Sequence, residues 1–270
     1  MRVHSLHIYP VKSARGIDLT TAQIKPRGLA GDRRFMLVDR DGNFITQRQF
    51  PKLALLCTKQ MDGGISLSWP GQDWINTPYP ANPARKQVTV WRSTVDAACM
   101  SGAINTALSG WLNHGVILVF MDKSAQRLTR TKWTQTPSPV SFADGYPILI
   151  TNTASLTALN KHIINSGGDA ITMDRFRPNI VIDCDTPWAE DNWKTLYIGD
   201  VVLDLVKPCA RCIMTSIDQK TGARNPKTAL SALKHLNPST DPNNPGVLFG
   251  WNAIVRNQGI IHNVDSVLSI

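Results

Sequence analysis

Hydrophobic and polar positions alternate with period two in many short runs along the chain, and follow a helical period in only a few. From Val3 to Tyr9, the positions Val3, Ser5, His7 and Tyr9 oppose His4, Leu6 and Ile8, a strand pattern that Pro10 ends. Residues 34–39 form a second strand, Asp41-Gly42-Asn43 is a turn signal, and 44–47 is the expected hairpin partner. Further strands are expected over 66–69, 87–91, 116–121, 148–151, 179–182, 196–198, 201–206, 212–217, 246–255 and 259–262. Helical spacing predicts helices over 98–113, 154–164 and 228–235, the first with Ala103, Leu108, Trp111 and Leu112 on its apolar side. Residues 122–138 are rich in Thr, Lys and Arg and follow neither period, so they read as a long loop, which in a compact protein is usually functional or mobile. Many short strands and few helices predict a β-rich α+β or barrel architecture, with a boundary that divides the chain into 1–121 and 122–270.

Composition narrows the class. The 270 residues suffice for a sizeable core, and 42% hydrophobic with 18% charged residues excludes a disordered chain. No apolar run approaches the roughly 18 residues of a membrane-crossing helix, and the N-terminus lacks the apolar stretch of a signal peptide. The expectation is a cytosolic (cytoplasmic) protein without membrane association. The net charge of +9 invites a nucleic-acid reading, but the basic residues are scattered and form no block. A solvated basic surface and a site for an anionic ligand suit that scatter better, so no stable nucleic-acid partner is expected. None of the six histidines has metal-ligand spacing, and the eight tryptophans are spread along the chain as packing residues would be.

Five cysteines, Cys57, Cys99, Cys184, Cys209 and Cys212, make an odd set with no disulfide framework. Cys209-Ala-Arg-Cys212 is a C-x-x-C, and its spacing leaves several readings open: inert buried thiols, a lone metal ligand, a redox pair, or half of a zinc site. No second pair completes a zinc site, and a redox pair belongs at a helix start, whereas a β-branched run follows here. On a strand, residues three apart face opposite sides, so one thiol would act without the other. Arg211 favours a thiolate beside it.

Taken together, several segments resemble one family. Ile8-Tyr9-Pro10-Val11-Lys12-Ser13, Asp32-Arg33-Arg34-Phe35-Met36-Leu37-Val38 and Thr46-Gln47-Arg48 resemble the N-terminal β-barrel domain that accompanies MOSC domains. Asp144-Gly145-Tyr146-Pro147, Arg175-Phe176-Arg177-Pro178-Asn179, Trp193 to Asp200, and Cys209-Ala-Arg-Cys212 with Asp218 and Thr221-Gly222 continue the match in order. The chain is similar, nearly end to end, to the MOSC molybdenum proteins, and within them to the amidoxime-reducing components.

That resemblance implies a β-barrel-like N-terminal domain, a MOSC β-barrel domain with flanking helices, and a molybdenum cofactor (molybdenum–molybdopterin). It gives Cys212 as the metal ligand and catalytic residue, and leaves Cys209 a small buried neighbour. It also implies that Lys12, Ser13, Arg34, Arg177 and Arg211 meet the cofactor, where guanidinium groups suit its phosphate. Asn179 offers a donor and an acceptor to the pterin edge, and Asp144, Gly145 and Arg48 join the set. The implied activity is reduction of N-hydroxylated compounds: amidoximes, hydroxylamines or N-hydroxylated nucleobases. A non-catalytic cofactor or sulfur carrier is the alternative. No cysteine follows Cys212 to bind an iron–sulfur cluster, so a separate ferredoxin-, cytochrome- or flavoprotein-like donor is expected to supply electrons.

Overall fold

The computed structural model describes residues 1–225 and 229–270. Its largest sheet has eight strands in the order Val267–Ser269, Thr195–Ile198, Val201–Ala210, Leu248–Val255, Ile148–Asn152, Ile180–Asp183, Arg2–Ile8 and Ile17–Leu19. Only the pair Ile148–Asn152 and Ile180–Asp183 is parallel. A parallel pair needs a crossover, and helix α2 (Thr153–Asn165) supplies it, begun by the Asn152 side chain accepting the Ala154 N–H. Gly250 lets two strands of this sheet approach, since a side chain there would meet the Ile150 carbonyl at 2.4 Å and its φ is +75°.

A second sheet runs Phe35–Val38, Ile117–Phe120, Ser93–Cys99, Arg85–Val90; two three-stranded sheets complete the fold, one joining Gly259–His262 to Thr21–Lys25 and Gly28–Leu29, the other Cys57–Met61, Gly64–Trp69 and Gln72–Pro78. The first 29 residues therefore pair with strands from the C-terminal half, although they precede the other N-terminal strands in sequence. Leu6, Ile150, Ile180, Leu203 and Ala253 share one core, while Leu37, Leu53, Leu67, Leu108 and Leu118 share another. Helix α1 (Gly102–Leu112) packs on the second core through Ile104, Leu108 and Leu112. Helix α3 (Ala229–Leu236) meets α2 around Phe176 and Phe249. No helix among the described residues is long and apolar enough to cross a membrane.

Three expectations need correction. The helix expected over 98–113 begins at Gly102, because Ala98 and Cys99 pair with Phe120 and Val119 in a sheet. The hairpin return at 44–47 shrinks to an isolated bridge, Val38 with Phe44, before Thr46 starts a turn that Gln49 closes. The strand expected over 212–217 is a 3₁₀ turn at Ile213–Ser216. There the Thr215 hydroxyl donates to the Cys212 carbonyl and the Ser216 hydroxyl to that of Ile213, a local alternative to a sheet ladder. The helix expected from Thr228 is found over Ala229–Leu236; Thr228 lies outside the described residues.

Candidate functional site

Three segments converge at one end of the large sheet. Tyr9 to Ser13 follow the strand Arg2–Ile8, Asp144 and Gly145 precede Ile148–Asn152, and Arg175 to Asn179 precede Ile180–Asp183. The strand Val201–Ala210 reaches the same place after two register shifts and delivers Cys209 to Cys212. From the N-terminal side come Arg33 and Arg48. Together they line one cavity that is open to solvent.

The Cys212 thiol is half-buried on the wall of this cavity, and Arg48 Nη2 donates to its Sγ at 3.2 Å. Arg48 also lies 4.8 Å from the centre of the Trp91 ring. Cys209 lines the cavity as well, because the chain leaves the strand between the two cysteines. It is half-buried, not enclosed, and Arg211 Nη1 donates to its Sγ at 2.9 Å. Among the described residues, no cluster of three or more His, Cys, Asp and Glu is placed to hold a metal.

The wall is strongly cationic: Lys12, Arg33, Arg48, Arg175, Arg177 and Arg211 face one carboxylate, Asp144. Lys12, only 5% exposed, donates to the Phe142 carbonyl at 2.9 Å and to Asp144 Oδ1 at 2.6 Å. Burial lowers the Lys12 pKa against the opposing pull of Asp144. Crowding by protein works to raise the Asp144 pKa, but the Lys12 charge and the hydrogen bonds from Lys12 and Trp91 outweigh it and hold the carboxyl well below the usual range.

Phe176 explains how two arginines reach the site together. It is fully buried and stacks on Phe249 with ring centres 3.8 Å apart, which pins the segment while Arg175 and Arg177 on either side turn into the cavity wall. Arg177 Nη1 donates to Gln219 Oε1 at 3.2 Å, and burial lowers the Arg177 pKa to about 10. Arg175 pairs with Asp218 at 2.9 Å. Both Arg33 and Arg177 lie 4.2 Å from the centre of the Tyr9 ring.

Two features mark the site as costly to build. Among the described residues, every buried side-chain nitrogen without an acceptor belongs to a guanidinium: Arg175 Nε and Nη1, Arg177 Nη2, Arg211 Nε, and Arg127 Nε nearby. Each such orphan costs about 1–3 kcal/mol. Ser13, Arg33 and Arg177 also have φ of 66°, 47° and 56°, left-handed values that favour glycine. Such strain persists only where surrounding structure enforces it, and it gathers at functional sites.

Of the residues the sequence suggests, Lys12, Ser13, Asp144, Gly145, Arg177, Asn179, Arg211 and Cys212 come together on the cavity wall, and Arg48 with them. Arg34 does not. It points into a different recess beside Gln60 and Tyr79, donates to the Met121 carbonyl and stacks on Phe120. The left-handed turn at Arg33 separates the neighbours, so Arg33 takes the cavity face and pairs with buried Asp32 at 2.7 Å. Asn179 lines the cavity but has its amide engaged: Nδ2 donates to the His7 carbonyl at 3.2 Å and Oδ1 accepts the Leu149 N–H at 3.0 Å. It braces adjoining strands, a role its residue type alone does not distinguish from ligand contact. Sequence reasoning passed over Arg33, Arg175 and Trp91, all within or beside the quoted motifs except Trp91, which had no signal.

Residues 1–115 match the MOSC N-terminal beta barrel domain, and residues 137–268 match the MOSC domain. The chain is 30% identical over 244 residues to mitochondrial amidoxime reducing component 2 of Bos taurus, covering 86% of this chain and 71% of that protein. This chain belongs to the MOSC family. As a MOSC protein it is also 29% identical to mitochondrial amidoxime-reducing component 1 of Homo sapiens, over 98% of this chain and 82% of that one. The molybdenum cofactor sulfurase of Danio rerio is 29% identical over 82% of this chain, which spans 28% of that longer protein.

Proposed function

We propose that this MOSC protein is an oxidoreductase that holds a molybdenum–pterin cofactor in the Cys212 cavity and reduces N-hydroxylated compounds. The carrying observation is the half-buried Cys212 thiol, hydrogen-bonded by Arg48, in a cavity whose buried guanidiniums have unspent donors. The residues fit such a group. A soft thiolate suits molybdenum, Arg175, Arg177 and Arg211 offer unpaired donors to a phosphate, and nothing lies within 4 Å of where a Gly145 side chain would begin. When bound, the cofactor supplies a two-electron redox centre.

The chain's own residues do the holding. Cys212 is the protein ligand, and Arg48 sets a cationic donor on the sulfur that must carry negative charge. Arg33 and Arg177 bring positive charge while bracing one another, since Arg33 Nη2 donates to the Arg177 carbonyl at 3.1 Å. Lys12 neutralises Asp144, so the single carboxylate in the wall does not repel an anion. In the overall reaction the N–O bond breaks on addition of two electrons and two protons, leaving the N–H product and water. The electrons come from a separate ferredoxin-, cytochrome- or flavoprotein-type donor.

Turnover of a hydroxylamine with an artificial electron donor tests this reading. Cofactor-loaded protein is expected to form the amine, and Cys212→Ala to fall to background. A variant that keeps full activity with cofactor present contradicts the assignment. The similarity to the sulfurase favours a carrier as the second reading, and the absence of any turnover by loaded protein would select it.

A further inference from the structure

A second, open chamber lies beside the Cys212 cavity and shares Asp144, Gly145, Tyr146, Cys209, Ala210 and Asn252 with it. Its remaining wall comes from the 127–133 loop, the turn at Trp91 and Arg92, and Lys207. The charge is predominantly positive. Arg92, Arg127, Arg130, Lys132 and Lys207 line it, and its one carboxylate, Asp144, is already paired with Lys12.

These cations are not equally employed. Arg127 is 7% exposed and fixes the loop beneath the chamber, donating to the carbonyls of Ser141, Ala143 and Asp144 at 2.8, 2.5 and 2.8 Å. Lys132 reaches Asn243 Oδ1 at 2.9 Å. Arg92 and Arg130 make no side-chain hydrogen bond or ion pair among the described residues, so both keep their full forks for a ligand. Burial lowers the proton affinity of Lys207 and of Arg127, the mark of positive charge held without enough compensation.

Aromatic surface accompanies the charge. Trp91 is 43% exposed, and its backbone is held at φ 56° in a two-residue turn between Arg85–Val90 and Ser93–Cys99. Trp133 and Tyr146 also line the chamber, with Lys207 Nζ 5.7 Å from the Trp133 ring centre. Although Arg48 and Phe44 lie against the Trp91 ring and Lys207 lies over Trp133, the exposed aromatic surface beside unpaired guanidiniums suits a flat ring that carries a phosphate.

We propose that this chamber receives the substrate, and that it selects N-hydroxylated ring compounds bearing a phosphate, at the level of the nucleotide and not of the free base. The inference rests on the reductase reading above. A phosphate on the cofactor has the same chemistry, so the experiment separates the two sources.

Cofactor-loaded protein is assayed on N4-hydroxycytidine and on its 5′-monophosphate, while tryptophan fluorescence follows equilibrium binding of cytidine and cytidine 5′-monophosphate. The phosphorylated substrate is expected to have a KM lower by about tenfold, with kcat little changed. In the double variant Arg92→Glu, Arg130→Glu that gap closes, cytidine 5′-monophosphate no longer binds better than cytidine, and pterin content is retained. Equal KM values together with equal binding in the unmodified protein overturn the proposal. Loss of pterin from the double variant also overturns it, because the cofactor then occupies this chamber. If neither substrate is reduced while the monophosphate still binds more tightly, the chamber's selectivity stands and the reductase reading falls.

Discussion

Arg33 and Arg34 are adjacent in sequence and serve two regions that treat charge differently. Arg34 lies in a recess where protein meets its needs: it donates to the Met121 carbonyl and rests on Phe120, while burial lowers its pKa. Arg33 lies on the Cys212 cavity with five other cations, several carrying buried nitrogens that no protein atom accepts from. Glu190 belongs with Arg34 in kind. It is fully buried, yet Asn152 and Ser155 donate to both its carboxylate oxygens at 2.9–3.0 Å. The difference teaches how to separate structural from functional charge here. A charge whose partners are all internal is held by the fold itself, and a wall of charges with donors left over is shaped for something the chain does not contain.

The largest effect should come from the cavity side. Arg177→Ala removes a guanidinium with a free nitrogen and should weaken pterin retention about 10–100-fold, the range for one charged hydrogen bond worth roughly 1.5–3 kcal/mol. Pterin fluorescence per mole of purified protein reads this, and unchanged retention would erase the distinction between the regions. Arg34→Ala should do the converse. Losing its hydrogen bonds and ring contact should lower stability by about 1–2 kcal/mol in denaturant unfolding, with pterin content unchanged.

The smallest effect concerns Glu190. Burial raises its folded pKa against the hydrogen bonds that favour the ionised form. Its unfolded value is about 4.3, so the folded state binds the proton more tightly across the interval above that. Stability therefore falls as pH rises from about 4.3 through the raised folded value, and levels off once both states are ionised. Glu190→Gln should flatten that part of the curve of Tm against pH, without changing pterin content.

Much of the architecture was legible where burial is one-sided. Val201 to Val206 alternates clearly because one face meets the core. In Arg2–Ile8, by contrast, a register shift between Val3 and Ser5 puts Val3 in the same core as Leu6 and Ile8, which the period-two pattern sets on opposite sides. Strands such as Gln72–Pro78 escaped notice because most of their positions are exposed or half-exposed, leaving no period to read. At 212–217 the β-branched composition favours a strand, but hydroxyl groups close a turn, so the two cysteines share a cavity that strand geometry would deny them. The site was legible as a set of residue types in order. Which of two neighbouring arginines faces inward depends on one left-handed residue, and whether Asn179 serves a ligand or a strand depends on what its amide meets. Neither is written in the hydrophobic pattern.

The central claim is that the Cys212 sulfur is a ligand to molybdenum. X-ray absorption at the molybdenum edge, on cofactor-loaded protein and on Cys212→Ala loaded in the same way, tests it most directly. The account predicts that the variant keeps pterin through the cationic wall while its molybdenum loses one sulfur neighbour. An unchanged sulfur shell in the variant would contradict it.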